Sequence, residues 1–240
     1  DDADENKKDV TDRDSTPNEW NEGDDDQDIE KIKLRYHDLS LRKWVTEVIV
    51  TENGKTQIIK TGHKAEDEPE DIVKVDLKKS KINDVTVKFR YSFRVTNQGE
   101  IAGAALELSE YIPDGLKFIP EENPGWKEVE GKFVTESLSN VILEPGESTE
   151  VSVLLTWING ANNMGIKTNV AEISKDYNEH GTPDIDSTPN NKKEGEDDID
   201  DASVMITIKT GSEAIFYATL GLGFVVIIGL GAFEIKKKII

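Results

Sequence analysis

Two sets of residues in this chain carry chemistry: acids at fixed spacing, and polar side chains placed on apolar faces. The acids come as a repeat. The twenty-five residues 4–28 recur without a gap at 176–200, 172 positions on, with thirteen identities. Shared positions include Asp12/Asp184, the runs Asp14–Asn18/Asp186–Asn190, Gly23/Gly195 and the pairs Asp25 and Asp26/Asp197 and Asp198. Carboxylates and amides held at constant offsets around Gly and Pro suit a hard cation, and calcium as a structural cofactor is the expectation. Asp176, Asn178 and Asp184 stand at positions one, three and nine of such a loop, with Gly181 at six for the sharp turn. Asp186 and Asn190 follow. Glu196, Asp197, Asp198, Asp200 and Asp201 form a second cluster that can complete the shell or hold another ion. In the first copy Asp4, Asn6, Asp12, Asp14, Asp25, Asp26 and Asp28 take the equivalent places. There Lys8 and Asp9 replace His180 and Gly181, so a weaker site is expected. Residues 1–30 hold fourteen acids against three bases, and residues 176–201 hold ten against two, nearly all of the net charge of −20. Such runs repel themselves unless neutralised; a solvated acidic linker is the other reading.

The second set is Lys43, Glu110 and Asn169. Lys43 alternates in phase with Leu39, Leu41 and Val45, Glu110 with Leu106, Leu108 and Ile112, and Asn169 with Ala171 and Ile173. A period of two points all three at a core, where an unpaired charge is costly. One explanation is a covalent crosslink. Burial lowers the Lys43 pKa, its neutral amine attacks the Asn169 amide, Glu110 shuttles the proton and ammonia leaves. The other has Lys43 snorkelling at an edge, Glu110 capping a turn and Asn169 bonding to backbone. The chain has no cysteine, so a crosslink or a bound metal would supply the stiffening that exported proteins usually take from disulfides. His37, His63 and His180 lie in polar segments without a nucleophile motif, an H-E-x-x-H helix or a phosphate loop. A non-enzymatic protein is therefore expected, and its acidic segments repel nucleic acid.

The elements that must position these residues read as strands. Leu39–Val45 alternates, and Asn53-Gly54 turns it into Thr56–Lys60. Ile72–Leu77 is short. Asp84–Thr96 is the strongest strand, with Val85, Val87, Phe89, Tyr91, Phe93 and Val95 on one face. Ala104–Ile112, Trp126–Val129, Lys132–Thr135, Val141–Leu143, Glu150–Trp157, Thr168–Ser174 and Ser203–Ile208 complete the set. Trp44, Trp126 and Trp157 are expected in the core, and Trp20 against a sandwich. Turn signals at regular intervals argue for an all-β, Greek-key β-sandwich over residues 34–208, with its acidic calcium-type loop at 176–201. Residues 1–33 read as the acidic tail of a preceding repeat, and the whole as a C-terminal piece of a longer protein. Residues 209–213 read as a linker. Residues 214–233 carry no charge and are long enough, as a helix, to span a bilayer. Lys236, Lys237 and Lys238 then place the 234–240 tail in the cytoplasm and everything before the span outside.

Four runs carry a resemblance. Tyr91–Ala102 resembles a "Y-x-F/I-x-V-x-N-x-G" strand and turn, and Glu110–Leu116 a "D-x-x-P-x-G-L" motif. Leu143–Gly146 and Asn169–Ile173 resemble two later signatures. Together, from about Leu39 to Ile208, the chain resembles the tandem surface-repeat domains of Gram-positive bacteria, which are Ig-like and related to fimbrial isopeptide-forming domains. The resemblance implies a cell-surface stalk or adhesin repeat, and in the fimbrial relatives a Lys–Asn crosslink at the positions of Lys43 and Asn169, with an acid at that of Glu110. Thr207–Gly211 stands where a sortase signal carries Leu-Pro-x-Thr-Gly; Thr-Gly is kept and Leu and Pro are replaced. The expectation is a membrane-anchored stalk that calcium stiffens and that displays upstream repeats of the same chain. The alternatives are an adhesin module for a host or matrix ligand, the anchor region of a secreted enzyme, and attachment to the cell wall.

Overall fold

The computed structural model describes residues 31–67, 71–79, 82–209 and 218–219. The chain divides into two units, Asp1–Leu34 and Arg35–Ile240. In the first, residues 31–34 carry no regular structure. The second is built from two sheets.

The first sheet holds β1 (Leu39–Glu52), β2 (Lys55–Lys60), β4 (Val85–Asn97), β6 (Leu116–Phe118) and β9 (Ser148–Trp157), in the order β2-β1-β4-β9-β6. The second holds β3 (Val73–Lys78), β5 (Ala104–Tyr111), β7 (Trp126–Val129), β8 (Lys132–Thr135), β10 (Gly165–Tyr177), β11 (Ile199–Lys209) and β12 (Ala218–Thr219), in the order β12-β3-β11-β10-β5-β8-β7. Every pairing is antiparallel except β11 with β3. The inner faces meet as alternation dictates. Along β4 every odd residue from Val85 to Asn97 is buried, and Phe89, Tyr91 and Phe93 pack with Leu39, Leu41, Val153, Leu155, Trp157, Ile173 and Val204 in one core. Trp126 and Trp157 belong to that core. Trp44 is buried too, but under the Arg94 guanidinium, 5.6 Å from its ring.

A bulge sets the phase of β1. Its pairing with β4 shifts between Val45 and Glu47. Leu39, Leu41, Lys43 and Val45 face inward before the shift, and Val48 and Val50 after it. The extra residue turns what would be an out-of-phase continuation into one long strand.

The all-β, two-sheet architecture expected from the sequence is present; the C-terminal helix is not found among the described residues. No α-helix occurs among the described residues, and none there is long and apolar enough to cross a membrane. The two described residues inside 214–233 form β12, with Ala218 opposite Val75 and Thr219 opposite Lys74. A backbone bonded to a neighbouring strand cannot close helical bonds at the same positions. The run's aromatic and β-branched residues and four glycines suit extended chain as well as helix, and hydrophobicity alone does not separate the two. The rest of 214–233 and the lysines after it lie outside the described residues. Two smaller differences concern Leu116–Phe118, which forms a strand beside β9, and Leu143, which makes only a bridge to Gly103.

Candidate functional site

Lys43, Glu110 and Asn169 meet in the core. Lys43 comes from β1 in the first sheet, and Glu110 and Asn169 from the adjacent strands β5 and β10 in the second. All three are buried. The Lys43 ammonium donates to Glu110 Oε2 at 2.8 Å, and the Asn169 amide donates to Glu110 Oε1 at 2.5 Å. Glu110 thus holds an amine on one oxygen and a primary amide on the other. The second amide atom, Asn169 Oδ1, is buried without a hydrogen-bond partner. Tyr91 and Phe93 flank the amine, each ring centroid 5.2 Å from Nζ. Burial pushes the Lys43 pKa down and the Glu110 pKa up. Both shifts favour moving a proton from amine to carboxyl, which leaves a neutral nucleophile beside an amide.

The acidic loop lies against the start of β1. There β1 pairs with β4 on one side only, since β2 joins it from Glu47 onward. The exposed edge donates to the loop at every second residue. Leu39 N–H reaches Asp184 Oδ2 (2.8 Å), Leu41 N–H the Asp197 carbonyl (2.7 Å) and Lys43 N–H Asp200 Oδ2 (2.6 Å). Buried Glu172 holds the middle of the loop, accepting from the N–H groups of Asn191 and Lys192 and from the Tyr111 hydroxyl.

This packing divides the expected calcium ligands. Asp184, Asp186 and Asp197 come together with a residue not expected among them, Asp38; one carboxylate oxygen from each lies within 4.8 Å of the others. Asp176 instead accepts from His37 Nε2 at 3.0 Å, and with Asp184 these two form a second, overlapping group. Asn178 closes its own turn, taking the N–H groups of His180 and Thr182 and donating to the Thr182 carbonyl. Asn190 accepts from Lys132. Glu196 accepts from Lys193, Asn191 and the Thr188 N–H. Asp198 is buried with both carboxylate oxygens unpartnered. Desolvation by burial, then the neighbouring acids, push Asp197 and Asp198 up to about 7; the same causes raise Asp38. The first-copy residues Asp4, Asn6, Asp12, Asp14, Asp25, Asp26 and Asp28, and Trp20, lie outside the described residues.

Asp38 gave no sequence signal, because it sits in a polar stretch before the first alternating residues. The Asn97–Gly99 turn places it. Gln98 and Gly99 N–H groups donate to the Asp38 carbonyl, and Glu100 N–H to that of Tyr36. A Cβ at Gly99 would sit 2.8 Å from Asp38 N and Tyr36 O, so only glycine admits this approach. Asn97 locks the turn from within, donating to the Ile101 and Leu143 carbonyls and accepting from Gly99 N–H. Compared with known proteins, the chain matches no protein-family model, and no curated protein matches it in sequence.

Proposed function

We propose that this chain is a non-enzymatic, load-bearing module of an extracellular bacterial surface protein. Its two sheets are tied by an amide bond between Lys43 and Asn169. The observation that carries this reading is the buried amine, carboxyl and amide held in one apolar pocket, with both pKa shifts favouring the neutral amine. Glu110 takes the proton from the Lys43 ammonium. The free Nζ attacks Asn169 Cγ, Glu110 passes its proton to the departing nitrogen, and the carboxylate then takes the second Nζ proton as the amide forms. One C–N bond forms, one breaks, and ammonia is the sole by-product. No oxidant is needed, so the bond suits a chain without cysteine. The motifs that resemble Gram-positive surface repeats point the same way.

Intact-mass measurement of the denatured 240-residue protein tests the proposal. The expected mass is one ammonia below the sequence mass, with a branched peptide joining Lys43 to Asn169 after digestion. Glu110→Gln and Asn169→Ala should return the full mass. A wild-type protein at full mass overturns the crosslink.

A further inference from the structure

We infer that Asp38, Asp184, Asp186 and Asp197 form a calcium site that fastens the start of β1 to the acidic loop. The site stands independently of the crosslink. Four carboxylates within 4.8 Å are a concentration of like charge, and no lysine or arginine among the described residues is paired with any of them. An acidic cluster by itself would be unremarkable on a loop. What sets this one apart is Asp38, which is 8% exposed and whose Oδ1 is buried without a hydrogen-bond partner. Asp197 Oδ1 is likewise buried and unpartnered. A group of this kind is costly to bury unless something neutralises it.

The dimensions fit calcium. Calcium–oxygen distances of about 2.3–2.6 Å put opposite ligands roughly 5 Å apart, whereas magnesium at about 2.0–2.1 Å draws them closer and demands a regular octahedron. Asp184 is already oriented: Oδ2 accepts from Leu39 N–H, and Oδ1 from the N–H groups of Asp186 and Ser187. These bonds aim the carboxylate and leave lone pairs for a metal. Asp186 is exposed, which gives the ion an entry side and room for water ligands. The overlapping His37–Asp176–Asp184 group is the weaker candidate, because His37 Nε2 and Asp176 Oδ2 are already bonded to each other and the group brings two carboxylates together rather than four.

Calorimetric titration of calcium chloride into the chelator-stripped 240-residue protein tests the site. Wild type should bind with Kd of about 10⁻⁴–10⁻³ M, the range of extracellular calcium modules. Asp38→Asn should lose one site or weaken it by about tenfold or more. Thermal unfolding supplies a second readout. In chelator Asp38→Asn should melt at or above wild type, since one repelling charge is gone; in saturating calcium the order should reverse. Asp186→Asn, on an exposed side chain, repeats the test where Asp38→Asn disturbs folding. Calcium binding by both variants with wild-type stoichiometry and affinity overturns the site, as does the absence of binding by wild type.

Discussion

Lys43, Glu110 and Asn169 were legible in the sequence because a strand's period of two is enough to point a residue inward, and all three break an apolar face. Asp38 was not legible. It enters the acid group through a contact between the β4–β5 turn and the segment before β1, and no local pattern records such a contact. Asp197, one of the acids it joins, and the neighbouring Asp198 invert the usual acid response of a protein. Asp197 and Asp198 stand at about 7 in the fold, against an ordinary value of 3.8. For raised carboxyls the native state binds more protons than the unfolded chain between those values. Their stabilising contribution is therefore complete below about pH 4 and is lost as pH rises towards about 7. Metal-free protein in chelator should thus lose thermal stability from about pH 4 to about pH 7, while calcium should stabilise it increasingly over the same range as the carboxylates ionise. Melting curves at unit steps of pH, with calcium and with chelator, measure the difference. A calcium effect that is flat across this range would mean that Asp197 does not face the ion.

Among the elements, β1 gives Asp184 and Asp200 of the second copy a use even before any cation is considered. The first half of this strand has no strand neighbour on one edge, and an open edge invites pairing with other chains. The loop closes it with two side-chain carboxylates and one carbonyl, meeting the N–H groups of residues 39, 41 and 43. Both carboxylates recur in the first copy, as Asp12 and Asp28. The sequence showed the repeat but not this use of it, because edge capping depends on β2 joining only beyond the bulge. At Ala218 and Thr219 the expected helix gives way for a related reason: the hydrophobicity of the run is plain in the sequence, but the pairing of these two residues with β3 is not recorded in any local pattern. Asp200 separates the capping role from the metal role, since it caps Lys43 N–H and lies outside the four-acid group. Asp200→Ala should cost about 1–2 kcal/mol in urea unfolding, as expected for a partly exposed charge-assisted hydrogen bond. It should also speed hydrogen exchange at the Lys43 amide and leave calcium affinity unchanged. An unchanged exchange rate at Lys43 would show that the edge is protected by other means.

Across the whole molecule, the two proposed fastenings act on the same path. Force applied to the chain enters the second unit near Arg35 and reaches β1 at once. The cation site would pass it from Asp38 to the acidic loop, and the amide bond from Lys43 to Asn169 on β10. Coordination bonds yield before covalent ones, so the metal would take the first load and the crosslink would set the limit of extension. Asn169 stands 126 positions after Lys43. A bond between them withdraws that entire segment, β4, β5 and β9 included, from stretching. It also closes a loop that, on the chain-entropy account of crosslinks, stabilises the fold by about 5 kcal/mol. Single-molecule extension, with handles on the two ends of the 240-residue chain, reads this directly. At up to about 3.4 Å per residue, Asn169→Ala should unfold to a contour length longer than wild type by roughly 430 Å. Chelator should lower the force of the first event in wild type and leave the final length alone. Equal contour lengths for wild type and Asn169→Ala would remove the crosslink from the load path, whatever calcium does to the first event.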